Sequence, residues 1–315
     1  MQSDIGPAQD RQPPGDASPA ARDQGRGMVG VAALTLAALF WAGNYAVGRL
    51  VAGDIAPATL NLLRWSTALL FLLPFAARRL PAAWLLVRRH FGWFLGLALA
   101  AVVVHPTVVY AGLNYTTATN MALIIAATPA MVLLLSSVLH GERHRAGLIA
   151  AVALSFAGIV LLVWKRTAMP NQGDLLGCAG MLCWAWYNVA LRDAPAEVDG
   201  IMLTTVISAL GVLLLVPLAA AEFAVRGGIT FDAELLLAVL YVGLFASGIS
   251  YLLWNSGVAA LGASHAAQFM NLVPVFGVAI GTLLLDEMFT TRHGLAALLI
   301  VGALLLSERQ RRAAA

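Results

Sequence analysis

The chain has 315 residues, of which 60% are hydrophobic and only 11% are charged. Soluble domains usually carry about 25% charged residues, so this composition excludes an ordinary soluble domain and predicts an integral membrane protein. The net charge of +3 comes from short basic blocks between apolar stretches rather than from one helix face. These blocks therefore predict membrane topology and argue against a nucleic-acid partner.

Ten apolar stretches are long enough to cross the membrane, since about 20 helical residues span roughly 30 Å of hydrocarbon. Several connections are only a few residues long, so neighbouring helices are expected to be antiparallel. The predicted spans cover residues 28–50, 56–77, 91–112, 117–139, 145–164, 173–192, 200–221, 234–257, 263–285 and 291–308.

An internal repeat relates the two halves of the chain. Residues 110–142 return as residues 255–287 at an ungapped offset of 145, each copy with a small polar turn, a central proline and an acidic end. Each half holds five predicted helices, and an odd number inserts the second copy upside down. The sequence thus predicts an all-α membrane protein whose ten transmembrane helices form two inverted five-helix repeats, residues 28–167 and 168–308.

The two tails and the loops decide the predicted orientation. Residues 1–27 are rich in Pro, Gly, Asp, Gln and Arg, which favours a disordered tail, and residues 309–315 form a second tail. The side of the membrane that holds both termini carries thirteen Lys and Arg residues, and the other side carries five. The positive-inside rule therefore predicts that both tails are cytoplasmic.

Four segments carry a resemblance to a known family: AGLNYTTATNMALIIAATPAMVLLLSSVLHGER, SGVAALGASHAAQFMNLVPVFGVAIGTLLLDE, FWAGNYAVGRL and LNLLRWSTALL. In these segments the chain resembles the EamA-type transporters of the drug/metabolite transporter superfamily, over roughly residues 28–308. The resemblance implies ten helices around a central substrate cavity, alternating access, and export of amino acids or other small metabolites from the bacterial inner membrane. The second half has Ile207 where repeat symmetry places Arg64, so the halves are not chemically equivalent.

Ionisable groups inside the predicted spans are few. Arg64 lies near the middle of span two, where it is expected either to hold a substrate carboxylate or phosphate, or to be a structural arginine bound by helix carbonyls, Asn44 or Asn61. None of the sixteen Asp and Glu residues lies near the centre of a span, and Asp174 lies at a span end. This disfavours a proton-coupled exporter of lipophilic cations, which needs a buried carboxylate.

Polar and aromatic side chains concentrate in spans one, three, four, six, eight and nine. Amides and hydroxyls are costly in lipid, so they are expected to line a wet cavity, while rings beside amides suit a zwitterion with an apolar side chain. Each Trp or Tyr has helix packing or an interfacial position as its alternative. The predicted substrate-binding residues are Trp41, Asn44, Tyr45, Arg64, His105, Tyr110, Asn120, Trp184, Tyr187, Asn188, Trp254, Asn255, Gln268 and Asn271.

Prolines interrupt two spans at their centres. Pro129 and Pro274 each remove an amide donor and free the carbonyl one turn earlier, at Ile125 and Met270. These positions are predicted to be hinges or, alternatively, static kinks relieved by a neighbour such as Thr128.

The sequence therefore predicts a secondary transporter that exports small metabolites, with amino acids as the leading substrate class. Its expected partners are a small-molecule substrate and the lipid bilayer. No GxSxG, HExxH or Walker motif is present, so an enzyme, a metal site, a cofactor and direct ATP drive are not expected. A membrane-embedded flippase or enzyme and a nucleotide-sugar or drug exporter are the alternatives.

Overall fold

The computed structural model describes residues 19–141, 146–163, 171–227, 229–261, 269–270 and 272–312. Within these ranges the chain is helical, and its only β-type contact is an isolated bridge between Ala52 and Ile55. The predicted site residues Gln268 and Asn271 lie outside the described residues.

Fourteen α-helices are described. They are α1 (Pro19–Leu50), α2 (Pro57–Ala76), α3 (Leu80–Arg89), α4 (Phe91–Leu97), α5 (His105–Leu113), α6 (Ala118–Ala126), α7 (Thr128–His140), α8 (Ala146–Val163), α9 (Gln172–Ala190), α10 (Gly200–Arg226), α11 (Ala233–Leu240), α12 (Ser250–Leu261), α13 (Leu272–Leu284) and α14 (Thr291–Arg312). Two π-helical segments, Ala98–Val104 and Tyr241–Ile249, join α4 to α5 and α11 to α12.

Among the described residues, five helical stretches are long and apolar enough to cross a membrane: Gly27–Leu50, Pro57–Arg79, Phe91–Leu113, Gly200–Arg226 and Ala233–Val258. Shorter apolar helices follow at Leu272–Leu284 and Thr291–Ala303. Large apolar side chains such as Leu70, Leu213 and Leu298 are exposed on the outside of the bundle, where lipid satisfies them. The predicted class, an all-α membrane protein, is confirmed for the described residues.

Several helix boundaries differ from the prediction. The first helix begins at Pro19 rather than at residue 28, because proline suits the first turn and the Ala, Arg and Gln that follow are good helix formers. A short helix, α3, occupies a predicted loop, with Trp84 and Leu85 exposed. Finally, α14 continues to Arg312, into the predicted C-terminal tail.

Helices α2 and α10 pack side by side and run antiparallel. At the start of α2, the Glu222 carboxylate accepts hydrogen bonds from Ala58 N at 2.9 Å and Thr59 N at 2.9 Å. At the other end of the pair, Asp199 caps the start of α10 and forms an ion pair with Arg79 at 3.3 Å. Acidic groups at both helix N-termini satisfy backbone donors that would otherwise be unpaired.

Close contacts at glycines show the relative direction of the other paired helices. In α5 and α9, Gly112 lies against Gly173 while Val109 lies against Gly180, so these helices are also antiparallel. Three more helix pairs are antiparallel by the same reasoning. In α12 and α1, Gly257 lies against Leu34 and Trp254 against Trp41. In α8 and α14, Gly158 lies against Ile300 and Leu154 against Gly302, and in α13 and α6, Gly277 lies against Ala122 and Gly281 against Thr119.

A buried asparagine accommodates the first π-helical segment. Pro106 has no N–H, so the carbonyl of Val102 loses its usual helical donor. Asn61, which is fully buried in α2, donates from Nδ2 to Val102 O at 2.7 Å and to Thr107 Oγ1 at 2.9 Å. The irregular backbone is thereby satisfied within the protein, as the membrane interior requires.

We expect Asn61→Ala to lower thermal stability, because it removes the side-chain hydrogen bond to the buried Val102 carbonyl, a loss of about 1–3 kcal/mol. Asn188→Ala is the matched control, since the Asn188 amide donates at 2.7 Å to Trp184 O of its own helix. Thermal unfolding in detergent measures both variants. Equal losses would contradict a special role for Asn61.

Candidate functional site

Arg64 lies at the centre of a buried hydrogen-bond network. It is 8% exposed and lies three residues after Asn61, on the same face of α2. Its Nε donates to Ser247 Oγ at 2.6 Å, and its Nη1 donates to Tyr110 Oη at 3.1 Å. We call Asn44, Arg64, Trp65, Tyr110 and Ser247 the Arg64 centre.

The two hydroxyls that accept hydrogen bonds from Arg64 donate hydrogen bonds to other groups. The Tyr110 hydroxyl donates to Asn44 Oδ1 at 2.7 Å, and the Ser247 hydroxyl donates to the Val242 carbonyl at 2.8 Å. Helices α1, α2, α5 and the second π-helical segment therefore meet at one charged group. Asn44 reaches Arg64 only through Tyr110, whereas the Asn61 amide donates to the first π-helical segment.

The positive charge of Arg64 has no acidic counterpart among the described residues. Both of its hydrogen-bond partners are neutral hydroxyls, and the ion pairs described elsewhere join Arg79 to Asp199 and His140 to Asp193. The guanidinium carbon lies 5.2 Å from the Trp65 ring centroid and 5.9 Å from that of Tyr110. Cation–π contacts offset part of the desolvation cost, but a buried charge is best satisfied by an anion.

An aromatic path leads to this centre. Ring centroids are separated by 5.2 Å between Trp254 and Trp41, 5.9 Å between Trp41 and Tyr251, and 6.2 Å between Tyr251 and Trp65. Such edge-on and tilted contacts are favourable for aromatic pairs. The path joins α12 and α1 to α2, and it brings the predicted residues Trp41 and Trp254 into one chain of contacts with Arg64.

Four other predicted residues form a second group on α5 and α9. The rings of Trp184 and Tyr187 stack at 4.9 Å, and His105 lies 5.3 Å from Trp184. His105 Nδ1 is 2.9 Å from the carbonyl of Gly180. Asn188 donates to its own helix, at Trp184 O.

The remaining predicted residues are dispersed. Tyr45 is buried on α1, directly after Asn44. Asn120 is buried beside Asp174, to which its Nδ2 donates at 3.2 Å. Asn255 is half-buried and lies against Gly200, at the start of α10. The predicted set is thus not one continuous lining.

The two predicted hinge prolines lie near helix starts. The helix is interrupted at Ala127, directly before α7 and its second residue Pro129, and Thr128 Oγ1 donates to the Ile125 carbonyl at 2.6 Å. Pro274 is the third residue of α13, and Val273 N donates to the Met270 carbonyl at 3.1 Å. Local donors therefore satisfy both freed carbonyls.

The sequence did not predict Trp65 or Ser247, and it predicted Asn61 only as a structural partner of Arg64. Trp65 is 1% exposed and its Nε1 has no hydrogen-bond partner, while Asn61 Oδ1 is also unpartnered. Ser247 bonds Arg64 directly. Asn61 lies three residues before Arg64 on α2 and Trp65 directly follows it, and this proximity was the available signal for both. Ser247 stands in a glycine-rich apolar run without such a signal.

The described helices thus form an apolar bundle around a buried arginine and an aromatic path, as in a helical membrane protein. The chain belongs to the EamA-like transporter family, whose profile matches it twice, over residues 28–164 and 171–308. Together with the relatives below, this indicates a transporter rather than an enzyme.

Two curated relatives match this chain over nearly their whole length. An uncharacterized transporter of Archaeoglobus fulgidus is 30% identical over 297 residues, 88% of this chain and 96% of the relative. A protein of Escherichia coli K12 named "Probable amino-acid metabolite efflux pump" is 24% identical over 292 residues, 88% of this chain and 94% of the relative. A solved crystal structure shares the fold with a TM-score of 0.58 at 20% identity, covering 91% of this chain and 99% of that one.

Proposed function

We propose that the protein is a secondary transporter that exports amino acids or related small metabolites across the bacterial inner membrane by alternating access. The observation that carries this proposal is the Arg64 guanidinium, which is 8% exposed and has only neutral partners among the described residues. A substrate carboxylate would supply the missing negative charge through a bidentate contact. The names of the efflux-pump relatives support the same substrate class.

The proposed architecture is ten transmembrane helices in two inverted repeats. The antiparallel helix pairs support it, because each joins one half of the chain to the other. Adding 143 to the residue numbers of α1 gives a range that contains α9. The same addition relates α4 to α11 and α5 to α12. The pair α1 with α12 is thus the counterpart of α9 with α5. The π-helical segments starting at Ala98 and Tyr241 obey the same shift.

Within this architecture, Arg64 holds the carboxylate and the aromatic path covers the substrate's apolar part. The unpartnered Asn61 Oδ1 accepts from a substrate amine, and the unpartnered Trp65 Nε1 donates to the carboxylate. The second group on α5 and α9 extends the binding surface towards larger side chains. Pro129 and Pro274 act as hinges, and both termini are cytoplasmic.

Counterflow in proteoliposomes tests the proposed function. Purified protein is reconstituted, loaded with one unlabelled amino acid at a time and supplied with trace labelled amino acid outside. We expect saturable uptake for at least one amino acid with an apolar side chain, and weaker uptake of the corresponding amine without a carboxylate. The absence of saturable counterflow across all amino acids would contradict the proposal.

A further inference from the structure

A short helix lies between two segments that are long and apolar enough to cross the membrane. α3 (Leu80–Arg89) directly follows the stretch Pro57–Arg79, and it ends two residues before the stretch that begins at Phe91. Its ten residues cover only about 15 Å, half of the thickness of the hydrocarbon layer. α3 therefore joins two spans at the end of the bundle, where the membrane meets water.

α3 has an inner side that packs on the protein and an outer side that does not. Ala83 is buried, and Leu86 and Val87 pack half-buried against the core cluster that contains it. On the outer side, Trp84 is 65% exposed and Leu85 is 71% exposed. Two large apolar side chains are therefore left without a cover in the protein itself.

The segments on either side of α3 also expose large apolar rings. Phe75, in the last turn of α2, and Phe91, the first residue of α4, are each 51% exposed. Apolar exposure thus runs from one span through α3 into the next, and such continuous surface marks an interaction site. Tryptophan favours the boundary between membrane and water, because its ring is apolar and its N–H is polar. The continuity with the spans identifies lipid as the cover of Trp84 and Leu85.

Arginines occupy the C-terminal end of this outer side. Arg88 lies one turn after Trp84, and Arg89 lies one turn after Leu85, so each arginine shares a helix face with an exposed apolar side chain. Both arginines are exposed. Within the part of the chain that the structure describes, neither has an ion-pair or hydrogen-bond partner.

The positive charge around α3 is not balanced by the chain. The sequence between Asp54 and Glu142 contains no acidic residue. Arg79, just before α3, obtains its acidic partner from another helix, since it pairs with Asp199 at 3.3 Å. The two arginines in the last turn of α3 therefore remain available for an anion that is not part of the protein.

We propose that α3 is an interfacial helix that binds an anionic phospholipid. The headgroup phosphate lies between Arg88 and Arg89, whose guanidinium groups offer paired donors in a fixed fork. The acyl chains lie against Trp84 and Leu85, which gives a lipid an advantage over a free anion. In the orientation proposed above this end of the bundle is cytoplasmic, the side on which basic segments next to a span meet anionic lipid.

Bound lipid stabilises the junction between two spans. α3 connects α2, which carries Arg64, to α4, so the lipid holds the ends of both helices at the membrane surface. A ligand that binds only the folded protein raises its stability. Lipid binding therefore has a readout in detergent that depends neither on a substrate nor on the proposed transport function.

Thermal unfolding with defined lipids tests the proposal. Delipidated protein in a neutral detergent is titrated with phosphatidylglycerol, with phosphatidylcholine of the same acyl chains, and with inorganic phosphate. We expect phosphatidylglycerol to raise the unfolding temperature saturably and to remain bound in native mass spectra, while the other two change little. An equal shift with phosphatidylcholine would overturn recognition of the charge, and an equal shift with inorganic phosphate would overturn a lipid as the ligand.

Arginine variants locate the site. Arg88→Gln and Arg89→Gln should each weaken phosphatidylglycerol binding about fivefold, and the double variant about 30-fold, from the usual contribution of a basic residue at an anionic surface. Arg226→Gln is the matched control, because Arg226 is also an exposed arginine in the last turn of a helix, at the end of α10 opposite to Asp199. Unchanged affinity in the double variant, or an equal loss in the control, would overturn the proposal.

Two further measurements do not require an arginine variant that folds. Raised ionic strength should weaken phosphatidylglycerol binding to the wild type, because the Debye length falls from ~10 Å at 0.1 M to ~3 Å at 1 M. Trp84→Ala should weaken it about tenfold without changing the unfolding temperature of the lipid-free protein, since the side chain is 65% exposed. Binding that is insensitive to salt would overturn the proposal. A changed oligomeric state with unchanged lipid affinity in Trp84→Ala would overturn it in favour of a second copy of the chain on α3.

Discussion

Arg64→Gln should abolish most amino-acid binding while leaving the protein folded. Removing one partner of a buried charge pair costs about 2–5 kcal/mol, so we expect affinity for an amino acid to fall by at least about 30-fold. Affinity for the corresponding amine, which lacks the carboxylate, should change little. Scintillation proximity binding with labelled ligand measures both.

Thermal stability distinguishes this role from a structural one. Since the described partners of Arg64 are neutral hydroxyls, Arg64→Gln leaves no opposite charge unpaired and removes a desolvated cation. The substrate-free variant should therefore unfold at the same temperature as the wild type or higher. Arg49→Gln is the control. The Arg49 guanidinium, at the end of α1, donates to Leu113 O at the end of α5, away from the Arg64 centre. A destabilised Arg64→Gln variant with intact binding would contradict carboxylate recognition.

Gly173→Ala should destabilise the pairing of α5 with α9. A Cβ at Gly173 would lie 2.5 Å from Gly112 O and 2.8 Å from Thr116 N, both backbone atoms that cannot rotate away. Overpacking of this kind costs about 1–3 kcal/mol, which exceeds the gain of up to about 1 kcal/mol from replacing glycine by alanine in a helix. We therefore expect a lower unfolding temperature in detergent.

Gly92→Ala is the matched control, because a Cβ at Gly92 meets no atom within 4 Å. There the gain in helix propensity is unopposed, and stability should be unchanged or slightly higher. Equal effects at the two positions would show that the α5–α9 contact is looser than described.

Sequence reasoning predicted ten apolar spans, and within the described residues five helices are long and apolar enough to cross a membrane. The helical membrane class could be predicted because composition and length decide whether a segment can enter lipid. It missed α3, since LPAAWLLVRR follows a basic pair and reads as a loop unless its exposed apolar face is considered. It also treated residues 91–112 and 234–257 as regular helices, although both contain π-helical turns. The first of them receives a hydrogen bond from Asn61 of another helix, which no local pattern reveals.

The site was predicted in part. Arg64 and its partners Tyr110 and Asn44 are polar groups in apolar spans, and the cost of placing such groups in lipid was enough to single them out. Ser247 was missed because serine is common in helices and its importance comes only from the approach of Arg64. Asp174 was discounted because a position at a span end is normally wet, whereas Thr116 and Asn120 pack over it.

The sequence by itself determined that this protein is a helical membrane protein of the EamA-like family, because hydrophobicity, span length and the repeated motifs are properties of the chain read in order. The tertiary structure decided which polar groups meet. It joined Arg64 to Ser247 across 183 positions and Asp174 to Thr116 across 58. A buried charge is defined by what surrounds it, and those surroundings come from helices distant in sequence.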